Sequence, residues 1–401
     1  LNILFLASHF PYPLHSGGAL RAHGLIKGAA QAGHEVDLLC FAESLPKDTP
    51  INDFCREITI IRPPARSIKD RLKDIAFTRH ADMGRRFWSD EMLETLKATL
   101  STKQYHVVHV ESIEMTTYSP HIHQWYPNLP LIYGSLNAEA DLQRVIFLRE
   151  IRNPKRIAGA IYSWIQWRRL THLERGICRI SAHVLAVSET DQTILQQFSD
   201  TPVTVIKNGI DVAPYLSLER ADTLAPESII FTGSMSYRPN VDAVLWFADE
   251  IFPTILGQHP NAHFYVVGHR PHPRVLALQD HPNITITGRV DKIEPYWQGA
   301  AVYIAPLRMG SGTRFKLLEA MAAGCAVVST TIGAQGLGVS TGKELILADT
   351  VSEFATAVQN LLENPEKRVE LGQNGRTFVR DHFDWSVIVP HLLEVYSSLI
   401  Q

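Results

Sequence analysis

The sequence predicts an α/β protein built from two doubly wound domains in series, each a parallel sheet with helices on both faces. Three observations carry that prediction. Short apolar runs rich in β-branched residues alternate with longer helical stretches, the pattern of buried parallel strands joined by crossover helices. The series breaks near residue 210 and then starts again. The 401 residues suffice for two hydrophobic cores of ordinary size.

Taken in order, the chain opens on LNILFLA, a run too short to span a membrane and without the basic start of a signal peptide. Residues 3–7 are therefore expected as the first buried strand. Further strands are predicted at 36–41, 58–61, 107–110, 131–133, 184–187 and 203–206. The polar segment 217–228 shows no core face and is expected to be a linker. A second series follows at 229–232, 263–267, 284–287, 302–305, 326–330 and 345–347, with helices over 241–256 and 314–323 among the crossovers. The expected division is a first domain over 1–210 and a second over 211–384. The last helical stretch, 385–401, is free to pack back on the first domain.

Composition narrows the function classes. A formal net charge of -3 lacks the basic balance of a nucleic-acid binder, so no nucleic-acid partner is expected. No run approaches the ~18 uncharged apolar residues of a membrane span. Cys40, Cys55, Cys178 and Cys325 stand alone without metal-binding spacing, which points to buried thiols in a reducing, cytoplasmic compartment. From Arg144 to Arg179 nine Lys/Arg face two acids, with Tyr162, Trp164 and Trp167 interleaved. That stretch reads either as a charged surface helix or as a peripheral contact with the inner face of a membrane.

The most informative block is APLRMGSGTRFKLLEAMAAGCAVVST, 305–330. Gly310, Ser311, Gly312 and Thr313 form a loop whose backbone N–H groups can face an anion, and the helix that follows presents its positive end there. Arg314 and Lys316 add cations at that end, where they are unfavourable for the helix dipole unless an anion is expected. Glu319 follows about one turn later, placed to accept hydrogen bonds from sugar or ribose hydroxyls. Elsewhere, His109 and Glu111 alternate onto one face of a predicted strand, and Asn137 and Glu139 follow the carboxyl end of another.

These motifs occur in order with SHFPYPLHSGGALR (8–21), HVVHVE (106–111), LAVSETD (185–191), VIKNGID (205–211), FTGSMSYRPN (231–240) and FYVVG (264–268). So arranged, the sequence resembles the retaining, nucleotide-sugar-dependent glycosyltransferases of GT-B architecture, family 4 or glycosyl transferases group 1, and within them the bacterial surface-polysaccharide type. The resemblance implies two Rossmann-like domains facing across a cleft. It implies that Gly17 and Gly18 approach the donor diphosphate through their backbone, that Glu319 binds the donor ribose, and that Arg314 and Lys316 clamp the diphosphate, with Arg238 in a lesser role. Arg21, Asn137 and Glu139 are candidates for the acceptor side, and His109 and Glu111 for the catalytic centre with Arg314 and Lys316.

The sequence also departs from the family pattern. A second glutamate expected eight residues before Glu319 is Ser311, so Gly312 and Thr313 are expected to replace its contacts to the transferred sugar through their N–H groups. A basic pair in FTGSMSYRPN is reduced to Arg238, and a histidine usual at position 111 is Glu111. No Asp-x-Asp occurs, so no metal and no other cofactor is expected. The resemblance thus implies sugar transfer from a nucleoside diphosphate sugar, UDP- or dTDP-type, to a glycan or lipid-linked acceptor in polysaccharide biosynthesis. The alternative is a catalytically weak regulatory or partner subunit that binds the same nucleotide-sugar. An NAD-dependent oxidoreductase is disfavoured, because SHFPYPLHSGG replaces the GxGxxG that should follow the first strand.

Overall fold

A computed structural model describes residues 1–14, 16–46, 49–152, 154–309 and 312–400. The chain divides into two compact units, Leu1–Gly209 with Trp385–Gln401, and Ile210–Asp384.

In the first unit seven strands form an all-parallel sheet: β1 (Asn2–Ala7), β2 (Glu35–Phe41), β3 (Glu57–Ile61), β4 (Val107–Glu111), β5 (Leu131–Gly134), β6 (His183–Ala186) and β7 (Val203–Val205). Their order is β3-β2-β1-β4-β5-β6-β7. Every residue of β4, β5 and β6 is buried, as expected of strands covered on both faces. The chain order reverses between β1 and β4, with Phe5 opposite His109. Ligands in open α/β sheets bind at the carboxyl ends of the strands at such a reversal.

The second unit repeats the plan with β8 (Ser228–Thr232), β9 (His263–Val267), β10 (Ile284–Gly288), β11 (Val302–Ala305), β12 (Val327–Ser329) and β13 (Ile346–Leu347). All pairs are again parallel, in the order β10-β9-β8-β11-β12-β13, and the reversal falls between β8 and β11.

Seven helices matter below: α1 (Gly17–Gln31), α2 (Ile68–Phe77), α3 (Glu139–Glu150), α4 (Ile157–Ile180), α5 (Arg238–Trp246), α6 (Phe315–Ala322) and α7 (Trp385–Ser398). The single helix expected over 241–256 starts earlier, as α5, and passes through a π-helical turn at Phe247–Ile251 before Phe252–Leu256. Pro253 cannot donate to the carbonyl four residues back, which accounts for the irregular turn.

The last helix belongs to the first unit, and two glycines explain how. A Cβ at Gly24 would lie 1.9 Å from the Trp385 ring, and one at Gly28 would lie 2.2 Å from Val389. Spaced one turn apart on α1, they open a groove into which α7 sets Trp385 and Val389. Ile388, Leu392, Val395 and Tyr396 then join the core of this sheet.

The linker expected at 217–228 is not a linker. Leu218 and Leu224 pack on the core of the second unit, Ala221 N–H donates to the Gln298 carbonyl, and Thr223 Oγ1 donates to the Pro295 carbonyl. Two isolated leucines, one backbone N–H and one hydroxyl fasten the segment, so its polar sequence shows no continuous core face. The division instead falls at Gly209/Ile210 and at Asp384/Trp385.

Candidate functional site

In the second unit the segments that follow β8, β9 and β11 meet beside the strand reversal, and glycines let them do so. Gly233 follows β8 at φ +149°, and Gly268 follows β9 at φ +157°, where L side chains are strained. A Cβ on Gly268 would stand 1.7 Å from the Gly233 carbonyl oxygen. A Cβ on Gly233 would stand 2.7 Å from Asn240 Nδ2 and 2.9 Å from Lys316 Nζ. The bare backbone at Gly233 therefore makes the space that the lysine head occupies.

Lys316 lies in the first turn of α6. Its Nζ donates to Asn240 Oδ1 at 2.6 Å and sits 4.4 Å from the centroid of the Phe231 ring. Asn240 is held in turn by donating from Nδ2 to the Ser234 carbonyl at 2.9 Å. These partners are neutral, and surrounding protein, followed by the charge of Arg314, pushes the lysine down to about 7 against the pull of Glu319. Arg314, at the N-cap of α6, is 7% exposed, and burial lowers its pKa as well. Two basic groups held in poorly solvated surroundings at a helix N-terminus are an arrangement that can accept an anion.

Glu319 stands one turn further along α6. Burial raises its carboxyl to about 7, opposed by Lys316 and by a hydrogen bond with Tyr215. Of the other residues expected on the donor side, Arg238 is exposed at the start of α5, Gly312 is exposed at φ +81°, and Thr313 is half-buried just before Arg314. Gly310 and Ser311 lie outside the described residues. Arg314, Lys316 and Glu319 are thus brought together, whereas Arg238 turns to solvent.

In the first unit the residues gather at the reversal between β1 and β4. Gly17 and Gly18 are the first residues of α1 itself, capped by Ser16, whose Oγ accepts from the Ala19 N–H. A Cβ on Gly18 would make ordinary contact, at 3.6 Å, with Leu136, so packing within the unit does not demand glycine there.

Arg21, His109 and Glu111 form a closed buried cluster rather than a surface. Arg21 is fully buried; its Nε donates to Glu111 Oε1 at 2.9 Å, and its Nη1 donates to the Ile206 carbonyl at 2.7 Å and to Asn208 Oδ1 at 3.1 Å. His109 stacks on Phe5 and bonds through Nε2 to Glu111 Oε2 at 2.8 Å and through Nδ1 to the Tyr396 hydroxyl at 2.7 Å. The alternation expected of His109 and Glu111 is present, but burial closes both off from solvent. Although burial opposes ionisation of Glu111, Arg21 and His109 hold its carboxyl below the usual range. Gly134, opposite Glu111 in the register, makes room for it: a Cβ there would stand 2.0 Å from Glu111 Oε2.

Asn137 and Glu139 lie together and half-buried past the end of β5, with Asn137 Nδ2 donating to Glu139 Oε1 at 3.0 Å. Behind them Glu174 of α4 accepts from the Glu139 and Ala140 N–H groups, each at 2.9 Å, capping α3. Burial raises the Glu174 carboxyl to about 8. Among the described residues no group of three or more His, Cys, Asp or Glu is placed to hold a metal ion.

Sequence reasoning missed Gly233, Asn240, Gly268, Tyr215, Glu174 and Tyr396. The two glycines had a signal, since each directly follows a predicted strand. Asn240, Tyr215, Glu174 and Tyr396 reach their places through tertiary packing alone.

Two all-parallel sheets, one of seven and one of six strands, are the architecture of the GT-B glycosyltransferases. Among solved structures, the chain is similar to sucrose-phosphate synthase from Thermosynechococcus elongatus, with a TM-score of 0.71 at 18% identity over 99% of this chain and 98% of that one. It is similar also to HepE of Anabaena in complex with UDP and glucose, with a TM-score of 0.65 at 16% identity over 99% of both chains. The family description "Glycosyltransferase Family 4" matches residues 15–214 and "Glycosyl transferases group 1" matches residues 226–364; the chain belongs to these glycosyltransferases.

Two curated relatives match over part of the chain. An uncharacterized 44.6 kDa protein in the cps region of Klebsiella pneumoniae is 22% identical over 39% of this chain and 42% of its own length. A phosphatidyl-myo-inositol mannosyltransferase of Mycolicibacterium smegmatis is 27% identical over 54% of this chain and 57% of its own length. The chain thus spans about half the length of these relatives.

Proposed function

We propose that the protein transfers a sugar, with retention of anomeric configuration, from a nucleoside diphosphate sugar of UDP or dTDP type to a glycan or lipid-linked acceptor in polysaccharide biosynthesis. The observation that carries this reading is the pair of basic residues at the N-terminus of α6, buried Arg314 and half-buried Lys316, with neutral partners around the lysine. As the bond from the anomeric carbon to the β-phosphate oxygen breaks, negative charge collects on the diphosphate, and these preorganised cations lower the cost. The acceptor hydroxyl oxygen forms the new bond to the anomeric carbon on the face the diphosphate leaves, and its proton passes to the departing diphosphate oxygen. Glu319 accepts from the donor ribose, and N–H groups around Gly312 and Thr313 meet the transferred sugar.

In the first unit Asn137 and Glu139 are the acceptor contacts. Arg21, His109 and Glu111 act as positioning residues, since their burial keeps them from touching a substrate in this arrangement. The solved HepE structures are described as complexes with UDP, alone and with glucose, which supports a uridine nucleotide as the first choice. Arg314 and Lys316 supply the charge a divalent ion would otherwise supply, so no metal is required. No helix among the described residues is long and apolar enough to cross a membrane, and the proposed place of action is the cytoplasm.

The test is release of nucleoside diphosphate from a panel of UDP- and dTDP-sugars, in chelator, by the purified chain. Donor-dependent release is expected with at least one sugar. Binding of UDP without release from any donor would favour a regulatory subunit, and neither binding nor release would contradict the reading.

A further inference from the structure

We propose that the packed helices α3 and α4, with the end of α2 beside them, form a docking surface for a bilayer that carries anionic lipid. The inference does not depend on the donor reading.

Helix α4 has two apolar faces. One is buried and carries Ala160, Leu170 and Ile177 with Ser163, Gln166 and Glu174. The other carries Ile157, Ile161 and Trp164 at spacings of four and three residues, so they line one side of the helix, and all are exposed, Ile161 at 56%. Helix α3 buries only Ala140, although Val145, Ile146 and Leu148 all stand in solvent on it. Ile151, in the turn between the helices, is also exposed. Next to α4, α2 ends on Phe77, the most exposed large hydrophobic residue described, at 86%. Arg169 fastens that end by donating to the Asp74, Ile75 and Thr78 carbonyls.

A concentration of exposed apolar side chains on neighbouring elements marks an interaction site, and charge identifies the occupant. Of the nine Lys/Arg from 144 to 179, Arg149, Arg152, Arg156 and Arg168 are exposed around the apolar side chains. The two acids of the stretch do not offset them. Glu174 is buried as the cap of α3, and Glu150 accepts from Ser163 Oγ at 2.8 Å with Arg156 3.8 Å away. A second copy of this chain seated here would set arginines against arginines. A lipid phosphate answers the guanidinium groups, while the isoleucines and Trp164 enter the boundary between headgroups and acyl chains.

The experiment is flotation of the full chain with vesicles of phosphatidylcholine containing about one third phosphatidylglycerol, beside vesicles of phosphatidylcholine alone. The protein is expected to float with the anionic vesicles and to be released by about 0.5 M salt. The triple variant Ile157→Glu, Ile161→Glu, Trp164→Glu changes only exposed side chains and is expected to lower the bound fraction at least about tenfold. Its release of nucleoside diphosphate without vesicles should match the parent, which separates a failure here from a failure of the donor reading. No flotation, equal flotation on neutral vesicles, or an unaffected triple variant would overturn the proposal. So would a dimer, seen by light scattering, that the triple variant dissolves.

Discussion

Replacing Lys316 by methionine tests the anion receptor at its most informative atom. In the free protein the ammonium group is bonded to an amide oxygen and faces an aromatic ring, and burial lowers it to about 7. A bound diphosphate supplies the missing counter-charge and restores the lysine toward its ordinary value. Loss of that charged hydrogen bond costs about 1.5 to 3 kcal/mol, or roughly 10 to 150-fold in Kd. Since the bound state holds the extra proton, affinity must fall as pH rises. The slope approaches about tenfold per pH unit above pH ~7, beyond the second phosphate ionisation near ~6. Calorimetric titration of UDP at pH 7.5 to about 9, in two buffers of different ionisation enthalpy, measures both the loss and the proton uptake. The variant should bind weakly and show little of the slope. Arg238→Ala, at an exposed position, should change Kd by less than about threefold. Equal losses for Arg238→Ala and Lys316→Met, or binding by Lys316→Met at the parent affinity, would refute the reasoning.

Other expectations concern the frame around the site. Gly268→Ala drives a Cβ toward the Gly233 carbonyl at a φ unsuited to alanine, and thermal unfolding should show a loss of about 2 to 4 kcal/mol together with weakened UDP binding. Glu111→Ala strands Arg21 as a buried cation and should cost about 3 to 5 kcal/mol by denaturant unfolding, most of it regained in the double variant with Arg21→Met. Glu174 is raised to about 8 in the folded chain from an ordinary value near 4.5, so the folded state holds the extra proton between those values. Its contribution to stability therefore falls as pH rises through that window, and Glu174→Gln should flatten the stability profile there by an amount on the order of a few kcal/mol.

Much of the fold was legible in the sequence because parallel strands covered on both faces must be almost wholly apolar. All thirteen strands among the described residues lie on predicted runs, differing by a residue or two at their ends. The anchoring of 217–228 was not legible, since two isolated leucines, a threonine hydroxyl and one backbone N–H hold that segment and leave no periodic side-chain signal. Nor could a helical pattern say that Gly24 and Gly28 admit Trp385 and Val389, because that fit joins α1 to a helix more than 350 residues away.

At the candidate site, the sequence from 305 to 330 stood out through basic residues placed against a helix dipole. Lys316 lies in the first turn of α6 and Glu319 one turn further along. What the sequence could not supply was the environment: Asn240 and Phe231 as neutral partners of the lysine, and Gly233 as the space for its head. Arg21 shows the opposite failure. An arginine one turn into a helix after a glycine pair looks available for a ligand, yet Glu111 and the carbonyls after β7 consume it.

The most direct test of the whole account is a crystal structure of the protein with UDP bound. The account requires the diphosphate against Lys316 Nζ and the first turn of α6, with the ribose hydroxyls on Glu319. A nucleotide held elsewhere, with Lys316 still bonded to Asn240 and no phosphate beside it, would contradict the claim that this helix end is the donor site.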